Sequence, residues 1–135
     1  MIRKTKVCVW SYNKKNKLED KLTTGKWIKT GFVKYFEKIF PEINKLVDQG
    51  AIFRAKYTHK ENSEYDPLPH FTPILCVYGD DKTKERTKNE LIKLGIIPDE
   101  WKYDTETKKD WAPDGKLHNE YIFRLLIDSE WESSK

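Results

Sequence analysis

Val7 to Tyr12 is enriched in β-branched and aromatic residues and predicts a first strand, and the polar run Asn13 to Lys21 after it predicts an exposed loop. Gly25 opens a second strand around Trp27 and Ile28. From Phe32 the spacing changes: Phe32, Val33, Phe36, Ile39, Phe40, Ile43, Leu46 and Val47 recur at three- and four-residue steps, the mark of an amphipathic helix. Pro41 lacks an amide donor, so it is expected to kink that helix or to start a second one. Gly50 is the expected terminator. Ala51 to Thr58 then reads as a strand with Ile52, Arg54, Lys56 and Thr58 on one face and Phe53, Ala55 and Tyr57 on the other.

Glu61 to Pro69 is a loop by its Asn, Ser, Asp and two prolines, and Ile74 to Tyr78 is apolar enough for a central strand covered on both faces. Asp80-Asp81 suits a helix N-terminus, with a helix from about Lys82 to Leu94 that buries Leu91, Leu94 and Ile92 and closes at Gly95. Trp101 to Tyr103 is a further strand. Asp104 to Gly115 is polar and contains Pro113, which predicts a long loop holding Trp111, and Glu120 to Ile127 is a last strand or short helix. Strands separated by two helical segments make an α+β sheet with helices on one face.

A chain of 135 residues is expected to form a single domain over residues 1–135. Lys plus Arg exceed Asp plus Glu by 26 to 22, and a net +4 is too mild to demand a nucleic-acid duplex. The lysine, asparagine and isoleucine usage fits an AT-rich genome as well as selection for phosphate contacts. Cys8 and Cys76 lie in apolar runs and read as small buried hydrophobes, with no disulfide or zinc framework. No run has signal-peptide or membrane-span length, so the cytoplasm is the default compartment and no membrane partner is expected.

The candidate chemistry gathers at Trp101-Lys102-Tyr103-Asp104-Thr105-Glu106-Thr107 and Trp111, which mix aromatic faces, cations and hydrogen-bonding groups beyond what a core strand needs. Trp27, Lys26 beside it, and the strand carrying Arg54 and Lys56 complete a set suited to a nucleotide: indole to stack a base, lysine to hold phosphate as a point charge. A buried Lys56 ammonium needs a counter-charge, from Asp104 or from a phosphate. Arg54 and Lys56 on one face form a two-cation clamp, to which Arg124 adds a bidentate contact. The plainer reading makes Trp27 and Trp111 core or rim aromatics and the clamp a solvated sheet face; Trp10 and Trp131 read as core and tail residues.

The order Gly25-Lys26-Trp27, Ala55-Lys56-Tyr57-Thr58, Leu75-Cys76-Val77-Tyr78, Leu94-Gly95 and Lys102-Tyr103-Asp104-Thr105-Glu106-Thr107 resembles the basophilic-leukaemia-expressed protein family, some of whose microbial members carry a phosphothreonine lyase label. The resemblance spans roughly residues 25 to 121. It implies a fold like that of the messenger-RNA cap-binding initiation factor, a curved, mostly antiparallel sheet backed by two or three helices with tryptophans gripping the ligand on its concave side. His70 stands further before the central strand than the family pattern expects, so the resemblance assigns it no catalytic role.

His70-Phe71-Thr72 matches one histidine-x-threonine element of the two-histidine phosphoesterases, but that mechanism needs a second copy, and His59-Lys60-Glu61 and His118-Asn119-Glu120 lack the hydroxyl residue. A lyase would draw on Lys56 as base and His70 as acid. Without a glycine-rich phosphate loop, nucleophile elbow or metal-ligand cluster, neither a metal nor a cofactor is expected, and binding is favoured over turnover. The leading expectation is a protein that binds a small phosphorylated nucleotide, of cyclic or ADP-ribose type, through Lys26, Trp27, Arg54, Lys56, His70, Lys102, Tyr103, Asp104, Thr107, Trp111 and Arg124. Its purpose would be to sequester a signal, for example in a virus that blunts nucleotide signalling. The alternatives are an enzyme on phosphorylated substrates, acting as lyase or phosphodiesterase, and a protein-interaction module built on Trp131 and the acidic tail. Two protomers sharing a pocket through the long loop would make a homo-oligomer.

Overall fold

The computed structural model describes residues 1–5, 8–18, 22–58 and 73–111, the side chains of residues 110 and 111 excepted. The elements are β1 (Ile2–Lys4), β2 (Cys8–Tyr12), β3 (Gly25–Thr30), α1 (Val33–Asp48), β4 (Arg54–Thr58), β5 (Ile74–Gly79), α2 (Lys84–Lys93), β6 (Glu100–Tyr103) and α3 (Asp104–Trp111). The strands form one open sheet in the order β1-β2-β4-β5-β3-β6, and every neighbouring pair is antiparallel. The chain is thus an α+β protein, as its alternation of strand and helix patterns predicts.

Helix α1 covers one face of this sheet because Phe36, Phe40, Ile43 and Val47, spaced at four, three and four residues, present a single apolar stripe that is fully buried. Phe40 meets the Tyr57 ring edge-on at 4.7 Å, and buried Ser11 satisfies its hydroxyl by donating to Asn44 Oδ1 at 2.7 Å. The helix runs through Pro41 as one element, so no second helix starts there. Pro41 and Glu37, whose carbonyl the proline leaves without a helical donor, both face solvent, so water can take that carbonyl while the stripe on either side stays packed.

Both α1 and α2 end in the same way. Gly50, at φ +79°, lets its own amide bond Val47 and the Ala51 amide bond Leu46, and Gly95, at φ +80°, does the same with Ile92 and Leu91 through the Ile96 amide. At the start of α2 the buried Asp80 carboxylate accepts from the Thr83 amide and hydroxyl, both at 2.9 Å, so Asp80-Asp81 does precede a helix as expected. Of the three residues predicted to face the core from α2, Leu91 is buried, Leu94 is partly buried, and Ile92 is exposed. Ile52 is buried but precedes β4, which begins at Arg54 rather than Ala51.

Two elements depart from expectation. Residues 104–111 form helix α3, not a loop, and Ile2–Lys4 add a short exposed edge strand. The segments of residues 61–69 and 120–127, assigned above to a loop and to a last strand or helix, lie outside the described residues. Among the described residues no helix is long and apolar enough to cross a membrane.

Closure of the β3–β6 edge depends on Gly25. A Cβ there would stand 2.7 Å from Trp101 Cζ2 and 2.8 Å from the Lys102 carbonyl oxygen, and a backbone atom cannot turn aside as a side-chain tip can. Gly25→Ala is expected to cost about 1–3 kcal/mol by overpacking. It should appear as a lower urea midpoint with an unchanged slope.

Candidate functional site

Cross-strand register sorts the sheet residues into two faces. On the face away from α1, one row reads Arg3, Trp10, Lys56, Cys76, Ile28 and Glu100 from edge to edge, and the next reads Tyr12, Arg54, Tyr78, Lys26 and Lys102. Five cations therefore share a surface with three aromatic rings. The opposite face carries Val9, Ala55, Tyr57, Leu75, Val77, Trp27, Trp101 and Tyr103.

The centre of the cationic face is a stack. Trp10 and Tyr78 lie nearly parallel, with ring centroids 5.9 Å apart and planes 21° from one another. The Arg54 guanidinium sits 4.7 Å from the Tyr78 centroid, 5.4 Å from Trp10 and 5.6 Å from Phe53, and the Lys56 ammonium lies 4.9 Å from Trp10. Among the described residues no carboxylate comes within ion-pair distance of Arg54 or Lys56, and Arg54 Nε is buried without a hydrogen-bond partner. Beside the stack a groove of about 300 Å³ is lined by Arg3, Thr5, Trp10, Tyr12 and Arg54. A second depression of similar volume, near the start of α2, includes Lys17, Lys82 and Arg86 but only Phe53 as an aromatic.

The expected counter-charge for Lys56 lies elsewhere. Asp104 pairs with Lys26 at 3.6 Å, and Lys26 Nζ also donates to Thr107 Oγ1 at 3.0 Å, which pins the first turns of α3 over the Lys26 end of the face. Lys26, Asp104 and Thr107, chosen as ligand contacts, thus engage one another. Lys102 stands next to Lys26 in register on the same face.

Trp27 is not the stacking surface the sequence suggests. It is only 8% exposed, faces the helices, and donates its indole N–H to the Lys84 carbonyl at 2.9 Å. Trp101 meets it edge-on at 5.3 Å, Tyr103 meets Trp101 at 5.7 Å, and the Lys84 ammonium lies 5.3 to 6.0 Å from all three rings. The Tyr103 hydroxyl donates to Asp81 at 2.7 Å, which raises its pKa and spends its polar end on joining β6 to the approach to α2. The 101–107 stretch therefore divides among two sheet faces and a helix instead of forming one wall. Trp111 is the last residue of α3 with its side chain outside the described part, and His70 and Arg124 lie outside it altogether.

Trp10, which sequence reasoning assigned to the core, is the ring that the cationic face offers. The signal for it was period two: Val9 and Ser11 are buried toward α1, so Trp10 and Tyr12 must point the other way. Burial pushes the Tyr78 phenol far above its ordinary pKa and the Cys76 thiol up to about 11, although Lys56 and Lys26 pull the thiol back in part. Both stay protonated at neutral pH, so neither is a base or a nucleophile. Among the described residues no group of three or more His, Cys, Asp or Glu is placed to hold a metal. What the arrangement can do is hold a flat, negatively charged molecule. Comparisons with protein-family models, curated proteins and solved structures returned no match.

Proposed function

We propose that the cationic face binds a small phosphorylated nucleotide, with a base against Trp10 and phosphate on Arg54 and Lys56. One observation carries this reading. A half-buried indole is bordered by two cations to which no described carboxylate is paired, and stacking plus charge is what a nucleotide supplies. The groove volume lies at the small end of ligand pockets, which suits one nucleotide better than a duplex. A protein that holds such a ligand without turning it over would act by sequestration, and a cytoplasmic place of action belongs to the same proposal. So does the likeness to the basophilic-leukaemia-expressed family: of its motif residues, Lys56 and Lys102 share the proposed face, whereas Trp27 and Tyr103 do not.

Titration of tryptophan fluorescence with mono-, di- and cyclic nucleotides, followed by recovery of the ligand, tests the reading. Saturable quenching with intact ligand is the expected result. Conversion of the ligand would replace binding with catalysis, for which Lys56 is the one described candidate. No response across the panel, at low salt where phosphate contacts are strongest, would sink the proposal.

A further inference from the structure

The groove over β2 has an aromatic floor and an arginine from the strand on each side. Trp10 and Tyr12 are two residues apart on one strand and so project from the same face. Arg3 lies across from Trp10 on β1, and Arg54 lies across from Tyr12 on β4. The two arginines thus stand two strand spacings across and two residues along the sheet from one another, about 12 Å between backbones, with the floor between them. Both line the same groove.

The remaining cations do not change this pattern. Lys26 is held by Asp104 and Thr107 toward the far end of the face, Lys102 lies beyond it on β6, and Lys56 flanks Trp10 on the same side as Arg54. A nucleoside lying along the floor with its sugar between the two arginines therefore meets positive charge on both sides of that sugar. A ligand with phosphate at one end would satisfy only one of them, and arginine's planar fork is the side chain best suited to grip phosphate in two-point fashion.

We infer that the ligand of this groove is a nucleoside carrying phosphate on both its 5′ and 3′ sides, one phosphate on Arg3 and the other on Arg54 with Lys56. This rests on the nucleotide reading above and narrows it. The same chemistry occurs in a free nucleoside 3′,5′-bisphosphate and in a residue within a short single strand.

Calorimetric titrations at low salt with adenosine and uridine 5′-monophosphates, the matching 3′,5′-bisphosphates and a 5′-phosphorylated dinucleotide test it. The bisphosphates should bind roughly tenfold more tightly than the monophosphates, the worth of one added charge-assisted contact. Arg3→Ala should bring that ratio close to one while leaving the melting temperature unchanged, because Arg3 is exposed on a three-residue edge strand. Equal affinity for mono- and bisphosphate, or a preference that survives Arg3→Ala, overturns the inference and leaves the nucleotide reading standing. Absence of binding by every member of the series overturns both. A dinucleotide that binds at least as tightly as the bisphosphate upholds the two-sided contact and assigns it to a strand, and a weaker dinucleotide upholds it and assigns a free bisphosphate.

Discussion

Phe36→Ala should lower stability by about 3–5 kcal/mol, a large share of the roughly 5–15 kcal/mol that holds a domain folded. Phe36 is fully buried at the first turn of α1, where it meets Tyr35 at 5.8 Å and Tyr57 at 6.1 Å and lies under Gly31, whose absent side chain leaves room for the ring. Alanine would remove the apolar contact and leave a cavity between helix and sheet, and Gly31 has no side chain to fill it. A fall of roughly 10–20 °C in melting temperature is the expected calorimetric result. Phe36→Leu, which keeps most of the volume, should lose less than half as much. A shift of only a degree or two for Phe36→Ala would mean that α1 is not seated on the sheet through this residue.

The same helix shows what was legible in the sequence and what was not. Its stripe at three and four residues could be read directly because burial of α1 is a property of its own spacing. Continuity through Pro41 could not, since it depends on which side of the helix meets the sheet. For β4 the alternation was also readable, and it placed Arg54 with Lys56 and opposed Lys56 to Tyr57 correctly, while the unbroken apolar run of β5 marked an interior strand. Helix α3 has no apolar stripe to announce it. Acidic Asp104 and Glu106 in its first turn and Lys108 and Lys109 in its last complement the helix dipole, and Lys26, distant in sequence, secures Asp104 and Thr107. Edge strand β1 depends on distant partners in the same way: the terminal ammonium at Met1 pairs with Asp48 at 2.8 Å on α1.

The candidate site was legible as residue types and not as a place. Aromatic rings interleaved with lysines occur on both faces of the sheet, and composition treats them alike. On the helix face Trp27, Trp101 and Tyr103 already have Lys84 and Lys88 against their rings. On the other face Trp10 and Tyr78 have Arg54 and Lys56, which no described carboxylate neutralises. The difference arises from which strand lies next to which, and the order β1-β2-β4-β5-β3-β6 brings β2 beside β4 although α1 and more than forty residues of sequence separate them.

Trp10→Ala should weaken nucleotide binding by roughly 5- to 150-fold, the equivalent of about 1–3 kcal/mol for one base–aromatic stack. The loss should exceed that of Lys56→Ala, since removing Lys56 deletes one phosphate contact, whereas removing Trp10 deletes the stacking surface and one of the rings that position Arg54. The two variants should also differ in salt response. Lys56→Ala should flatten the dependence of affinity on salt by about one released counterion, and Trp10→Ala should leave that slope nearly unchanged because it removes no charge. Trp27→Phe provides the contrast from the other face. Its indole N–H holds the Lys84 carbonyl and its ring is buried, so its replacement should lower the melting temperature and leave affinity intact. Affinity that falls with Trp27→Phe and survives Trp10→Ala would move the ligand to the helix face and refute the site proposed on the sheet.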